Sequence, residues 1–426
     1  MSETPTYYPE PIQPKKATLA DRVITWMVDH WQKNKPDIKA FVGRKNEITT
    51  DNGDDLIVAE ENLPVIAEAT ELMKARQAEG KLINKETNPL GENVKDLTMM
   101  IFGDPHIPGS ELEDSPYELN QPYRLIKKIR AIFLGFKPTK DVDRDGATET
   151  FNAFQALKQS FVNHLQTSSR EGSFTNDSKI LITNVGDSGN TEHKMGDNAF
   201  AALQLEGMRA DLADAAERRE TVMMHAQGNH DSDLNNHGLE HDWFHRELYG
   251  SQVFLQEIGD DVVVLSINTN FYSTFWHQHL ERRKQGGLNE REEKALALIR
   301  QEMEKQKLLI EKAKQSGKRI VLVGHERGYL EQAMGGNLAE TSVVAVVSGH
   351  THKHENIADK KKQNLNHEVI KYLNVGANKK AKVDGVSKSV LSGFSLRIRD
   401  DENGLQIKID EIIPTEVDYQ TALSSM

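Results

Sequence analysis

Gln227-Gly228-Asn229-His230-Asp231 is the stretch on which the reading of this chain turns. It follows a short apolar run, Thr221-Val222-Met223-Met224, and precedes a polar, turn-like segment. A strand that ends in a loop carrying an amide, an imidazole and a carboxylate is a common setting for chemistry. Alone the pentapeptide is weak, because Gly-Asn is also ordinary turn chemistry. Its weight comes from similar strand ends elsewhere.

Leu97 to Phe102 is an apolar run that stops at Gly103-Asp104-Pro105-His106. Ile180 to Val185 stops at Gly186-Asp187, and Arg319 to Val323 at Gly324-His325. Ser342 to Val347 leads into Gly349-His350-Thr351-His352. Short apolar runs bounded by turn residues read as buried strands. Five strand ends therefore supply Asp104, His106, Asp187, Asn229, His325, His350 and His352. A glycine stands beside the ligands at each end, which allows a tight backbone turn. The donors are oxygen and nitrogen only. That set suits borderline divalent ions such as Mn, Fe, Zn or Co. Seven donors exceed one tetrahedral site and suffice for two ions sharing a carboxylate. Two metals about 3.5–4 Å apart are a standard arrangement for clamping phosphate and activating water.

The rest of the chain supports an α/β domain. Residues 1 to about 16 hold Pro5, Pro9, Pro11 and Pro14 and read as a loose arm. Helical spacing covers Leu19 to Trp31, and a second helix runs from Leu63 to about Gln77. These helices form an N-terminal extension that either pads the core or binds a protein partner. Residues 107 to about 178 read as an insertion with helices at Arg124 to Phe136 and Thr150 to Leu165. Between them Asp141-Val142-Asp143-Arg144-Asp145-Gly146 opens like an EF-hand loop, but Asn152 stands where a bidentate Glu belongs. Both an Asx-rich turn and a weak calcium site remain open. A helix from about Ala199 to Arg219 separates two of the strands, and strand–helix–strand order implies parallel neighbours. Trp243 to Tyr249 reads as a short helix, and Val253 to Ile258 pairs with Val262 to Asn268 as a hairpin. His277 and His279 read as surface or packing residues, and about Asn289 to Gln315 as a long charged helix. Val369 to Val375, Phe394 to Arg399 and Leu405 to Ile409 read as strands. The expected divisions are an arm and helical extension at 1–96, a catalytic domain at 97–413 and a tail at 414–426.

Composition sets bounds. The chain has 426 residues and no cysteine, which excludes disulfides, thiolate zinc sites and a cysteine nucleophile. No secretory signal or membrane-length apolar run is visible, so a cytoplasmic location is expected, although export by another route would not show. A net charge of −12 weighs against a nucleic-acid partner.

At this point the chain resembles the calcineurin-like metallophosphoesterases over about residues 97 to 413. The resemblance rests on five blocks in the family's order: Gly-Asp-x-His at 103–106, Gly-Asp at 186–187, Gly-Asn-His-Asp at 228–231, Gly-His at 324–325 and Gly-His-x-His at 349–352. It implies a four-layer sandwich, two mixed β-sheets flanked by helices, with the site where strand ends meet. It implies one metal on Asp104, His106 and His352, a second on Asn229, His325 and His350, and Asp187 bridging them, with manganese among the candidates. It further implies attack on phosphorus by a hydroxide between the metals, with His230 as general acid. Three departures separate the chain from the protein Ser/Thr phosphatase branch. Asn190 stands where that branch has an Asp backing the catalytic His, and Thr191 where it has a phosphate-gripping Arg. Asp231 replaces a usual Glu, and is counted with His230 and Asn190 among the candidate catalytic residues. Glu326-Arg327 follows His325 where a Pro is common two places on. Arg327 is a candidate phosphate clamp, because guanidinium matches phosphate bidentately, or else a surface arginine.

The expected function is thus hydrolysis of phosphomonoesters, on a protein or a small molecule. A phosphodiesterase or nuclease could use the same site. A non-catalytic scaffold on this fold would be expected to lack ligands or the catalytic His, and none is missing.

Overall fold

The computed structural model describes residues 45–49, 55–59, 63–107, 144–175, 177–189, 195–231, 245–288, 290–376, 379–383, 386–402 and 404–425. The proline-rich arm, the expected helices at Leu19 to Trp31 and Arg124 to Phe136, Asp141 to Asp143, Asn190 and Thr191 lie outside these residues.

The elements in order begin with a hairpin, β1 (Lys45–Thr49) and β2 (Asp55–Ala59). Next come α1 (Leu63–Ala78), β3 (Asp96–Phe102), α2 (Arg144–Arg170), β4 (Lys179–Asn184), α3 (Met195–Ala215) and β5 (Thr221–His225). The hairpin β6 (Phe254–Ile258) and β7 (Val262–Ser266) follows, then α4 (Thr274–Gly286), α5 (Glu290–Gln315), β8 (Arg319–Val323), α6 (Arg327–Ala333) and β9 (Val343–Ser348). Strands β10 (Glu355–Gln363), β11 (Val369–Asn374), β12 (Lys379–Val383), β13 (Val386–Val390), β14 (Gly393–Asp401) and β15 (Gly404–Ile412) lead to α7 (Glu416–Ser425).

Two mixed sheets carry the fold. One runs β15-β14-β3-β4-β5, with β3, β4 and β5 parallel. The other runs β10-β11-β9-β8-β7-β6, with β7, β8, β9 and β11 parallel. The central strands are mostly apolar, and every residue of β3 and β9 is buried. That is the signature of strands covered on both faces. Alternate side chains divide between two interfaces. Leu97, Met99 and Ile101 face the other sheet's Val262, Val264 and Val321, whereas Met100 and Phe102 face helices. On the far side Val263, Leu265 and Leu322 pack against Leu309 and Ile310 of α5 and Leu330 of α6. The order helix, sheet, sheet, helix is the expected four-layer sandwich.

Two expectations change. The second helix of the presumed insertion, α2, is the crossover between parallel β3 and β4. Its Phe154, Leu157, Phe161 and Leu165, at helical spacing, join Phe102 in the core. It also begins at Arg144, so residues 144–152 are helical rather than an open calcium loop. An EF-hand loop needs its sixth residue to turn the chain sharply; here that residue, Gly146, sits inside the helix.

The helix α1 pads the core, as one of its two readings held. Ile66, Ala69 and Met73 share a cluster with Met100 and Phe102, and Arg76 pairs with Glu206 at 2.6 Å. The segment behind it borders both sheets. Leu82 bridges Met223 of β5 and Thr87 bridges Leu255 of β6, both parallel. Backbone groups on two strand edges are thereby paired.

Candidate metal centre

The carboxyl ends of β3, β4 and β5 meet those of β8 and β9 across the sheet interface. Three of the five connections, those after β3, β4 and β9, turn sharply there. Asp104, His106, Asp187, His350 and His352 all hold left-handed backbone, with φ of 51°, 41°, 53°, 68° and 53°. Each such residue costs on the order of 1–3 kcal/mol, and this kind of strain concentrates where function requires it. The turns are locked by backbone bonds: Asp104 N–H donates to Gly186 O at 3.0 Å and His106 N–H to Asp187 O at 3.1 Å. Two further bonds join the sheets. Both oxygens of Asp104 accept the His350 N–H at 3.0 Å, and His325 Nδ1 donates to Val185 O at 2.8 Å. Glycine is required at two places. A Cβ on Gly228 would lie 2.0 Å from Asp187 Oδ1, and one on Gly186 would lie 2.5 Å from His325 Nδ1.

The side chains so placed form two groups with ligand atoms within 4.8 Å of one another: Asp104, His106, Asp187 and His352, and Asp187, His325 and His350. Asp187 belongs to both. Asn229 joins the second, its Oδ1 being 3.0 Å from His325 Nε2 and 2.8 Å from His350 Nδ1. In the first group His106 Nε2 and His352 Nε2 are 3.2 Å apart.

The donor chemistry fits divalent cations. A carbonyl only accepts, so His325 carries a proton on Nδ1. Its Nε2 then faces Asp187 Oδ2 at 3.3 Å and Asn229 Oδ1 at 3.0 Å. Asp187 Oδ2 is buried with no hydrogen-bond donor. Lone pairs converging this closely repel unless a proton or a metal lies among them. A ligating histidine whose other nitrogen donates to a carbonyl is the usual arrangement around metals. Two of the titrations fit neutral ligands. Burial depresses His106 and His350 to about 4, so both are neutral donors at pH 7. The other two do not: burial works against a charged His325, but the Asp187 charge beside it holds it up near 10, so without a metal a proton takes the place between them. Burial pushes Asp104 up to about 8, with the Asp187 charge adding to it.

His230 is half-buried; its N–H donates to Asp187 Oδ1 at 2.9 Å, and its ring stands edge-on to His106 with centroids 5.0 Å apart. Asp231, expected among the catalytic groups, lies buried beneath the site. It accepts the N–H groups of Gly228 and Asp187 at 2.8 Å and of Ser188 at 2.9 Å. Burial opposes its charge, but His225, His245 and the Gly228 amide hold its carboxyl well below the usual range. Arg327 pairs with Glu331 at 3.0 Å and its guanidinium lies 3.8 Å from the Tyr372 ring centroid, so its close partners are these two. His277 Nε2 bonds Phe271 O at 2.9 Å, a packing role.

Sequence reading missed the support around Gly228–Asp231. His225, His245 and Gln252 are buried behind the loop. Asn268 Nδ2 donates to Gln227 Oε1 at 2.8 Å, and Asn270 Nδ2 to Gly228 O at 3.1 Å. The only signal was composition: polar side chains at the ends of apolar strands.

No protein-family model matches the chain, and no curated protein matches it. Among solved structures it is similar to vacuolar protein sorting 29 from Cryptosporidium parvum, at 12% identity, covering 74% of this chain and 98% of that one, with a TM-score of 0.23. A single mutant of Vps29 from Entamoeba histolytica matches at 11% identity over 74% and 99%, with a TM-score of 0.22. A mutant cold-active protein tyrosine phosphatase matches at 12% identity over 87% and 91%, with a TM-score of 0.27. Scores this low carry nothing over to this chain; the fold stands on its own topology. None of the described helices is long and apolar enough to cross a membrane.

Proposed function

We propose that this chain is a two-metal phosphoesterase of the calcineurin-like metallophosphoesterase class, acting on phosphomonoesters. The observation that carries the reading is that one buried carboxylate, Asp187, belongs to both ligand groups. Asp104, His106 and His352 complete one set; Asn229, His325 and His350 complete the other. Divalent ions, when bound, would supply Lewis acidity to the phosphate and activate water. The chain's own residues do the rest. The locked turns hold seven donors without reorganisation, which is what electrostatic catalysis requires. His230, fixed through its N–H on Asp187 and its ring on His106, stands beside both sets and delivers a proton to the leaving oxygen.

The test is metal content followed by hydrolysis of a chromogenic monoester and the matching diester. The proposal expects bound divalent ions and faster monoester turnover. Faster diester turnover would move the substrate class. Bound metal with neither activity would make this a scaffold.

A further inference from the structure

Behind the proposed ligands lies a second, fully buried group. His225 Nε2 is 3.1 Å from Asp231 Oδ2, and His245 Nε2 is 3.8 Å from the same oxygen. The two imidazoles pack on Tyr249, with centroids at 4.2 and 4.7 Å. Three ligand atoms, one each from His225, Asp231 and His245, lie within 4.8 Å of one another. By spacing alone this is a metal site.

The hydrogen bonds assign it otherwise. Gln252 Oε1 accepts from Gln227 N–H at 3.1 Å and from Asn268 Nδ2 at 3.4 Å. The Gln252 amide is thereby oriented, with Nε2 donating toward His245 Nδ1 at 3.1 Å. His245 accepts at Nδ1, so as a neutral imidazole it carries its proton on Nε2, facing Asp231. Binding a metal at that nitrogen would demand an imidazolate in a dry pocket. Asp231 is also filled. Its Oδ2 takes the N–H groups of Asp187 and Gly228 at 2.8 Å, and its Oδ1 takes Ser188 N–H at 2.9 Å and Ser188 Oγ at 3.0 Å.

We infer that His225, with His245 packed beside it, is a positioning residue that acts through Asp231 to fix the Asp187–Ser188 backbone, and so the carboxylate shared by the two metal groups. The inference rests on the function proposed above. Asp231 touches the backbone on both sides of the sharp turn at Asp187, where φ is 53°. A carboxylate that lost its buried donors would shift, and the left-handed turn would shift with it. Orienting groups of this kind typically cost 10–100-fold in metal affinity when removed.

The test uses the full chain stripped by chelation and titrated with Mn²⁺. Binding and the exchange-coupled two-manganese resonance signal are followed in wild type, His225→Gln and His225→Leu. Glutamine keeps an N–H where Nε2 was; leucine does not. Wild type and His225→Gln should take two ions with a coupled signal. His225→Leu should bind about 10–100-fold more weakly and lose the coupling. Equal binding with coupling intact in His225→Leu overturns the inference alone. No manganese binding in wild type overturns the proposed function, and the inference with it. In case His225→Leu does not fold, nitrogen-15 imidazole spectra of wild type give a second reading. They should show His245 protonated on Nε2 through zinc saturation. Loss of that proton, or a third zinc per chain, would make the group a metal site and refute the positioning role.

Discussion

Asp187 Oδ2 lies 3.3 Å from His325 Nε2, although the two residues follow strands of different sheets. The five-stranded sheet supplies the carboxylate and the six-stranded sheet the imidazole. The centre therefore exists only when the sandwich is closed, and its two ligand groups share one carboxylate. Asp187→Asn keeps the shape and removes the charge. It should lose both ions and nearly all turnover, whereas Asn229→Ala, which contributes to one group, should retain more metal. Elemental analysis of the purified variants checks this. Two metals per chain and near-normal turnover in Asp187→Asn would rule out the shared role.

His230 offers a leaving-group test. General-acid help is worth about 10²–10⁴-fold, and it matters most for poor leaving groups such as alkyl alkoxides. Activated phenolates leave nearly unaided. His230→Ala should cost far more on alkyl phosphates than on activated aryl phosphates, with metal content intact. Equal losses on both substrates would reassign His230 to a structural role.

A third prediction concerns stability away from the centre. Asp96, at the start of β3, is buried and accepts from Arg397 Nε at 2.9 Å, Arg397 Nη2 at 2.6 Å, Arg399 Nη2 at 3.1 Å and Ser178 Oγ at 2.5 Å. Burial pushes its carboxyl up, but the bonds from Arg397, Ser178 and Arg399 and the Arg397 charge outweigh that and hold it below the usual value. A depressed carboxyl contributes stability that is complete above the unfolded pKa, about 3.9, and is lost as pH falls through the folded value. Asp96→Asn should cost about 2 kcal/mol at pH 7, because it leaves two half-buried guanidinium groups without their anion. It should also flatten the acid limb of the stability curve. Urea titrations of both proteins from pH 3 to pH 7 would reveal it; parallel curves would contradict the assignment.

Calcium binding near Asp141 should be weak, about 10⁻³ M, or absent. Residues 144–152 are helical and cannot wrap an ion. Calorimetric titration with calcium checks this. Submicromolar binding abolished by Asp141→Ala would show that the helix melts to form a loop.

Much of the site is legible in the sequence because its chemistry is written at strand ends. Apolar runs such as Val343–Ser348 announce buried parallel strands, and the residues just past them carry the donors. The polar elements are not legible in this way. Strand β10 reads Glu-Asn-Ile-Ala-Asp-Lys-Lys-Lys-Gln, and only its place at the edge of a sheet, paired with β11, makes it a strand. The crossover helix α2 is visible as a helix but not as a layer of the core, because periodicity gives a buried face without naming what covers it. His225 and His245 escape for a related reason. An imidazole within or beside an apolar stretch carries no sign of a carboxylate elsewhere in the chain until the loop folds back upon it.

The most direct measurement is activity against metal content in one preparation. Prolonged chelation should abolish phosphomonoester hydrolysis and lower the thermal midpoint, since ions that bind only the folded state stabilise it. Back-titration with Mn²⁺ should restore turnover in step with occupancy, reaching full activity at two ions per chain. Full activity in a preparation that elemental analysis shows to be metal-free would contradict the account at its centre.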